Sequence, residues 1–139
     1  MDTNVISELV AKQPNQRVIE WLDDLDPDSI YLSVITIGEL RKGIEKLPDS
    51  PRRDKLFDWL VNELLVRFQD RILALDVDVM LTWGKLVGRL EQSGRRLSAI
   101  DSLIAALALA RSCSLVTRNE ADFKGVGLKI INPWQNPWQ

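Results

Sequence analysis

The sequence contains no histidine and only one cysteine among its 139 residues. The lack of histidine excludes a Ser-His-Asp triad, a Cys-His pair and any histidine acid/base couple. A lone Cys113 also excludes a disulfide framework and the usual structural zinc sites, and it is typical of a reducing cytoplasm. The chain has no glycine-rich phosphate loop and no GxGxxG motif. Hydrolysis by this chain would therefore have to depend on carboxylates, with or without a metal ion.

The chain also has little net charge and no long hydrophobic segment. Its net charge is -2 and its pI about 5.2, so no global positive field attracts nucleic acid. No apolar run is long enough to span a bilayer and no signal peptide precedes the domain, so we expect a cytoplasmic protein without membrane contact. Its 45% apolar and 27% charged residues are near globular averages. We expect a single domain, residues 1–139, with a substantial core.

Segments rich in β-branched residues alternate with amphipathic segments along the chain. The predicted strands are residues 30–35, 72–75, 115–117 and 128–131. The predicted helices are residues 4–10, a helix capped by Asn15, residues 36–47, 52–68 and 77–92, and a helix that Ser98 opens. In this last helix, Ile100 is among the residues expected to point inward. Because such alternation gives right-handed crossovers, the sequence predicts an α/β fold with a central parallel sheet flanked by helices.

The first residues combine an acid with two small polar residues. Asp2, Thr3 and Asn4 lead into apolar residues that share a face at helical spacing: Val5, Ile6 and Leu9. This pattern is typical of a chain that leaves the carboxyl end of a buried strand and enters a helix. Ligands of open α/β sheets bind in the crevice outside those strand ends. We therefore predict Asp2 at the carboxyl edge of the sheet. Because only Met1 precedes it, either the first strand is nearly missing or the chain starts late.

Three further acids each follow a potential helix-capping residue by three positions. The pairs are Thr36 and Glu39, Ser98 and Asp101, and Asn119 and Asp122. For each acid alone, a capping box is a sufficient explanation, since its carboxylate complements the helix dipole. Taken together, capping boxes that follow strands would bring all three acids to the sheet edge predicted for Asp2.

Four carboxylates in one crevice need protons or cations. Two unit charges about 4 Å apart repel by roughly 4 kcal/mol at an effective dielectric near 20. Oxygen-only ligands suit Mg²⁺ or Mn²⁺, which can activate water and stabilise the leaving oxygen in phosphodiester cleavage. We predict that Asp2, Glu39 and Asp101 hold a first metal, while Asp122 helps to hold a second or orients the water. Thr3, Asn4, Thr117 and Asn119 are candidates for hydrogen bonds to these ligands, with turn and cap chemistry as the alternative.

Several basic and aromatic residues are candidates for partner contacts. Arg41, Arg95, Arg96 and Arg118 lie near the predicted acids in sequence and could hold RNA phosphates or an antitoxin. The alternative for each is solvated surface charge or pairing at a helix end. The apolar stripe around Trp59 could form a partner groove or a dimer face, and the alternative is that it belongs to the core.

Four segments in chain order resemble the motifs of PIN-domain nucleases, and more closely those of the VapC/FitB toxins. They are Asp2-Thr3-Asn4, Ile37-Gly38-Glu39-Leu40, residues 101–106, and Thr117-Arg118-Asn119 with Asp122 and Phe123; residues 131–134 add to the likeness. The resemblance implies a three-layer PIN-like fold and a magnesium- or manganese-dependent endoribonuclease, the toxin of a toxin–antitoxin pair. It also implies a homodimer, and an antitoxin through which alone the protein would reach operator DNA.

Two other functions fit parts of the sequence. One is a PIN-fold binding module with little catalysis that acts mainly in an antitoxin complex on operator DNA. The complete set of acids argues against it. The other is a receiver-like signalling domain with an acidic pocket and Mg²⁺. That class needs a lysine after a late strand, which residues 115–118 lack.

Overall fold

The computed structural model describes residues 3–5, 30–117 and 120–131. Several predictions lie outside this part of the chain. They concern Asp2, the helix after Asn15, Arg118 and Asn119, and the residues from 132 onward.

Five strands form one parallel sheet in the order β3-β2-β1-β4-β5. The strands are β1 (Thr3–Val5), β2 (Ile30–Ser33), β3 (Ile72–Leu73), β4 (Ser114–Val116) and β5 (Ile130–Ile131). The prediction of a central parallel sheet is confirmed. The predicted strands from residue 30 onward are all present; β2, β3 and β5 are shorter than predicted, and β4 is shifted by one residue.

The described helices account for the amphipathic segments. They are α1 (Val34–Glu45), α2 (Pro51–Trp59), α3 (Val77–Gln92) and α4 (Ala99–Ala110). The helix α2 continues through a π-helical segment, Leu60–Leu64, into a last turn at Leu65–Arg67, so the predicted helix over 52–68 is not uniform. A 3-10 turn, Glu120–Phe123, follows β4. None of the helices in the described ranges has both the length and the apolar content needed to cross a membrane.

The core divides into two layers because successive residues of a strand point to opposite faces of the sheet. In β4, Val116 packs with residues of α1 and α2, whereas its neighbour Leu115 packs with residues of α3 and α4. Ala105 and Ala108 of α4 are completely buried, so this helix packs closely on the sheet, as expected from its alanine content. Trp59 is half-buried against the α1 and α2 layer, which supports its interpretation as a core residue.

The prediction of a helix over residues 4–10 is wrong for its first residues, because Thr3–Val5 form the central strand. Thr3 is paired with Ile30 and Ser114, the first residues of β2 and β4, so β1 begins at the amino edge of the sheet. Without β1, the inner backbone groups of β2 and β4 would have no partner, and this pairing outweighs the local helical pattern. The strand β1 therefore includes residues that follow Asp2; Asp2 itself lies outside the described residues, and its predicted location stays a prediction.

One predicted inward position is also wrong: Ile100, expected in the core, is 40% exposed in the first turn of α4. In α3, Met80 is 41% exposed, whereas its neighbour Val79 is fully buried against Leu107. The contact with α4 sets the rotation of α3, and the apolar residues on both sides of α3 left that rotation ambiguous in the sequence.

Candidate active site

The carboxyl edge of the sheet collects the acid-bearing segments. Helix α1 leaves this edge directly after Ser33, the last residue of β2, and the 3-10 turn leaves it after β4. Helix α4 leads into the amino end of β4, and at about 1.5 Å per residue it spans roughly 18 Å back toward the carboxyl edge. Its contact with the 3-10 turn is consistent with that direction.

Glu39 does not occupy a capping position. Helix α1 begins at Val34, and its cap is Ser33, whose Oγ accepts a 2.9 Å hydrogen bond from the Thr36 amide. The two hydroxyl groups of Ser33 and Thr36 are also 2.9 Å apart and hydrogen-bonded. The predicted capping box of Thr36 and Glu39 is therefore wrong, and no acid lies in the first turn. Helix capping gives no reason for a half-buried carboxylate at this point of α1.

Asp101 does occupy a capping position. The Oγ of Ser98 accepts a 3.1 Å hydrogen bond from the amide of Asp101, and Asp101 is the acid of the first turn of α4. The cap predicted at Ser98 is confirmed. The positive end of the helix dipole favours a negative charge here, so the position of Asp101 suits helix stability as well as catalysis.

Asp122 lies in the 3-10 turn after β4 and is exposed. Its neighbour Phe123 is only 2% exposed and anchors the turn in the α3 and α4 layer. Arg95 Nη2 donates a 3.4 Å hydrogen bond to the carbonyl oxygen of Asp122. At Gly125, whose φ is +82°, an added Cβ would lie 2.6 Å from Arg95 Nη1. Arg95 thus lies against the backbone of the turn that carries Asp122, a contact that sequence analysis did not predict.

Buried hydroxyl groups lie at the same edge. Ser33 is 1% exposed, and Thr36 and Thr117 are completely buried. Thr117, predicted as the last residue of a strand, directly follows β4, and its amide donates a 3.0 Å hydrogen bond to the carbonyl oxygen of Ile131. Hydroxyl groups in such positions can orient neighbouring carboxylates. The ligand contacts predicted for Thr117, and for Thr3 and Asn4 in β1, remain predictions.

The described acids do not form a complete metal site by themselves. In residues 3–5, 30–117 and 120–131, no group of three or more His, Cys, Asp or Glu residues could hold a metal ion. Mg²⁺ commonly binds through one or two carboxylates, with waters and substrate phosphates completing its shell. An ion at this edge would thus need oxygen ligands in addition to those of the described side chains.

The arginines predicted to contact RNA or an antitoxin differ in their surroundings. Arg41 donates a 2.8 Å hydrogen bond to Glu45, and its guanidinium lies 4.9 Å from the centroid of the Phe57 ring. Hydrogen bonds from Arg41 and then Arg53 hold the pKa of the Glu45 carboxyl below its usual value. Such exposed pairs contribute little to stability. Arg96 is exposed, unlike the half-buried Arg95. Contacts of Arg41, Arg95, Arg96 and Arg118 with RNA or an antitoxin stay predictions.

The fold and the acids at its carboxyl edge define the class of the protein. The model of the PIN domain matches residues 1–128, so the chain belongs to the PIN-domain family. Its relatives narrow this class to the VapC/FitB branch. The chain is 37% identical to VapC ribonuclease Y4jK of Sinorhizobium fredii, with 97% of this chain and 96% of the relative covered. It is 36% identical to toxin FitB of Neisseria gonorrhoeae, with 98% of each covered, and 38% identical to plasmid stability protein StbB of Pseudomonas syringae, with 97% of each covered.

Solved structures give the same result for the fold. The structure of FitAcB from Neisseria gonorrhoeae matches with a TM-score of 0.88 and 31% identity, covering 95% of this chain and 98% of that one. The structure of FitAB bound to an IR36 DNA fragment also matches with a TM-score of 0.88, at 29% identity, covering 95% of each chain. The three-layer PIN-like fold implied by the motifs is therefore confirmed.

Proposed function

We propose that this protein is a magnesium- or manganese-dependent endoribonuclease that hydrolyses RNA phosphodiester bonds and acts as a toxin neutralised by a cognate antitoxin. The names of its relatives, VapC ribonuclease and toxin FitB, support this function. The structural observation that carries it is Glu39. This acid lies beyond the first turn of α1, where capping does not account for it, at the edge that Asp101 and Asp122 also approach.

The chemistry of the acids fits a divalent ion. Asp2, Glu39, Asp101 and Asp122 would hold it, and all four offer only oxygen, as Mg²⁺ and Mn²⁺ prefer. A bound ion of this kind supplies activation of water and offsets the charge that develops on the phosphate. Because the chain has no histidine, its carboxylates must also carry the proton transfers of the reaction.

The described residues prepare this edge for the reaction. Ser98 fixes the first turn of α4 and thereby the backbone of Asp101. Arg95 and Phe123 hold the turn of Asp122 from two sides, which leaves the exposed carboxylate able to orient the attacking water. The buried pair of Ser33 and Thr36 fixes the start of α1, from which Glu39 projects one turn later.

The partners follow from what the related complexes contain. A structure of VapBC2 from Rickettsia felis, bound to a DNA fragment from their promoter, matches this chain with a TM-score of 0.78 and 25% identity. By analogy, an antitoxin would occupy the active-site edge of this protein and link it to operator DNA. The RNA substrate would bind at the same edge in the free toxin.

The proposal is tested by cleavage and by metal binding in parallel. Purified protein should cleave RNA with Mg²⁺ or Mn²⁺ and stop when a chelator is added. Calorimetric titration with Mn²⁺ should show binding that Asp101→Asn greatly weakens. The control Asp70→Asn changes an exposed acid that precedes β3, at the amino edge of the sheet, and should leave both properties unchanged. Full cleavage in chelator would refute the metal dependence.

A binding module with little catalysis is the second candidate. It is favoured by the lack of a three-acid metal group within the described ranges. In that case the protein and its antitoxin would bind operator DNA together, and the protein alone would not cleave RNA with either ion. Cleavage that depends on both Glu39 and Asp101 would exclude this candidate.

A further inference from the structure

The turn that carries Asp122 is anchored to the core by apolar side chains. Phe123 and Val126 are both buried in the α3 and α4 layer. The hydrogen bonds that close the turn are long. The amide of Lys124 lies 3.4 Å from the carbonyl oxygen of Ala121, and the amide of Val126 lies 3.4 Å from that of Phe123. A short turn closed by weak hydrogen bonds opens readily, so the location of Asp122 depends on additional contacts.

The guanidinium group of Arg95 contacts the backbone of this turn at two points. Its Nη2 donates a 3.4 Å hydrogen bond to the carbonyl oxygen of Asp122. Its Nη1 lies only 2.6 Å from the place that a Cβ would take at Gly125, so a side chain there would displace the guanidinium. The planar group of Arg95 therefore lies across the segment from Asp122 to Gly125.

The backbone of Arg95 is itself fixed by the end of α3. The helix ends in a Schellman motif, with Gly94 at a φ of +76°. The amide of Gly94 donates a 3.0 Å hydrogen bond to the carbonyl oxygen of Glu91, and the amide of Arg95 donates a 2.8 Å bond to that of Leu90. Leu90 is buried in the same cluster as Phe123. Arg95 therefore reaches the turn from a defined point at the end of α3.

Helix α3 also fixes the first turn of α4, which carries Asp101. The Nε1 of Trp83 donates a 2.9 Å hydrogen bond to the Oγ of Ser102, the buried residue that follows Asp101. The same Oγ donates a 2.7 Å hydrogen bond to the carbonyl oxygen of Ala99. The backbone of Asp101 is thus tied to α3 through Trp83, and the backbone of Asp122 is tied to the end of α3 through Arg95.

We propose that Arg95 is a positioning residue that fixes the location of Asp122 relative to Asp101, with α3 as their common support. The proposal rests on the proposed nuclease function, in which both acids serve one site. A misplacement of about 1 Å can lower a rate by roughly 100-fold, so the spacing of the two acids matters. Arg95 acts through the backbone carbonyl of Asp122 and has no need to touch RNA, which differs from the phosphate contact predicted from the sequence.

Amide hydrogen exchange of the full-length chain, without RNA or metal, tests the contact independently of activity. Arg95→Ala should accelerate exchange at the amides of Lys124 and Val126 by about tenfold, because the turn opens more often. The matched control is Arg89→Ala, which removes an exposed arginine from the last turn of α3 and should leave both rates unchanged. Unchanged rates in Arg95→Ala would overturn the proposal.

Steady-state kinetics of RNA cleavage separates positioning from RNA binding. Arg95→Ala should lower kcat by about tenfold and change KM by less than about twofold, since the contact acts on the reaction step. When Asp122→Asn is already present, adding Arg95→Ala should lower kcat by less than about twofold, because the carboxylate that Arg95 positions is gone. A raised KM at unchanged kcat would overturn the proposal and assign Arg95 to RNA binding. A full tenfold further loss in the Asp122→Asn background would also overturn it.

Two glycines provide a second pair of variants that does not remove Arg95. Gly125 and Gly127 have nearly equal φ values, +82° and +85°, so alanine imposes similar backbone strain at both. An added Cβ at Gly127 meets no atom within 4 Å, whereas at Gly125 it meets Arg95. Gly125→Ala should therefore lower kcat by about tenfold, and Gly127→Ala by less than about twofold. Adding Gly125→Ala to Arg95→Ala should cause no further loss. Equal kcat values for the two glycine variants would contradict the role of Arg95.

Failure of the proposed function would give a different result. A parent chain that cleaves no RNA with Mg²⁺ or Mn²⁺ would refute the nuclease proposal, while the exchange rates would still show whether Arg95 holds the turn. A parent chain that cleaves RNA, together with an Arg95→Ala variant of equal kcat, would refute the positioning role alone.

Discussion

Helices α1 and α4 start in similar ways, yet their acids lie in different positions. Each helix follows a serine cap, Ser33 for α1 and Ser98 for α4. In α4 the acid Asp101 lies in the first turn, where its amide bonds to the cap. In α1 the acid Glu39 lies beyond the first turn, which contains no acid. An acid at a capping position therefore indicates little about function, whereas an acid just beyond it needs another explanation.

The helix dipole also acts differently on Asp101 and Glu39. Its effect on a charge is confined to the first or last turn of a helix. The carboxylate of Asp101 is stabilised by α4 itself, even in the absence of any ligand. Glu39 lies outside that range, so the dipole of α1 does not stabilise its charge. Of the two residues, Glu39 is the stronger argument for a metal site.

The largest predicted difference between Glu39 and Asp101 appears when RNA cleavage and the stability of the fold are both measured for the same variants. Glu39→Gln and Asp101→Asn should each lower RNA cleavage by about 100-fold or more, the scale of one positioned carboxylate. Asp101→Asn should also destabilise the metal-free fold by about 0.5 kcal/mol through the lost dipole interaction. Glu39→Gln should leave the metal-free fold equally or more stable, because it removes a charge that the dipole of α1 does not stabilise. Urea denaturation in chelator measures this part.

Equal destabilisation of the metal-free protein by Glu39→Gln and Asp101→Asn would contradict this difference between the two acids. Glu39 would then have a structural role that its position does not explain. Glu63→Gln is a matched control, because Glu63 is exposed in the π-helical segment and should affect neither property.

The edge that carries the acids and the capping position of Asp101 could be predicted from sequence, but the position of Glu39 within α1 could not. Alternating strands and helices bring every strand end to the same edge. Ser33 and Thr36 are both competent caps three residues apart, and local preference does not choose between them. The parallel pairing of Ser33 with Leu73 extends β2 to Ser33, so the helix can start only after it.

The central strand and the contact of Arg95 were missed because both depend on residues distant in the chain. The spacing of Val5 and Leu9 favours a helix, yet Val5 is paired with Leu32 and Val116, and tertiary pairing outweighs local propensity. Arg95 meets Asp122 across 27 positions of sequence. No short motif encodes such a contact.

A smaller effect distinguishes the two serine caps themselves. Ser98→Ala should destabilise the protein by about 1 kcal/mol, the usual effect of losing a cap. Ser33→Ala should destabilise it by about 2 kcal/mol or more, since the buried hydroxyl of Thr36 also loses its bond to Ser33. Chemical denaturation of both variants provides the measurement.

Adding Thr36→Val to Ser33→Ala should recover part of the loss, because the unpaired hydroxyl is then removed. Equal destabilisation by Ser33→Ala and Ser98→Ala would show that the hydroxyl pair at the start of α1 contributes nothing beyond the cap. The geometry around Glu39 would then be less constrained than the burial of Thr36 suggests.

The smallest effect concerns a cap that carries a charge. Helix α3 is capped by Asp76, whose Oδ1 accepts a 3.0 Å hydrogen bond from the amide of Val79. This bond is the main cause that holds the pKa of Asp76 below its ordinary value of 3.8; partial desolvation opposes it, and the adjacent Arg111 guanidinium supports it.

Because the folded-state pKa of Asp76 is lowered, the stabilisation by its charge is fully present above the ordinary pKa and is lost as the pH falls through the folded-state value. The parent should therefore be more stable than Asp76→Asn near pH 6, and thermal denaturation should show the difference shrinking below about pH 4. The effects of Ser33→Ala and Ser98→Ala should stay constant over that range, because a serine hydroxyl does not titrate there. A difference between the parent and Asp76→Asn that grows on acidification would mean that the charge of Asp76 opposes folding, contrary to its contacts with Val79 and Arg111.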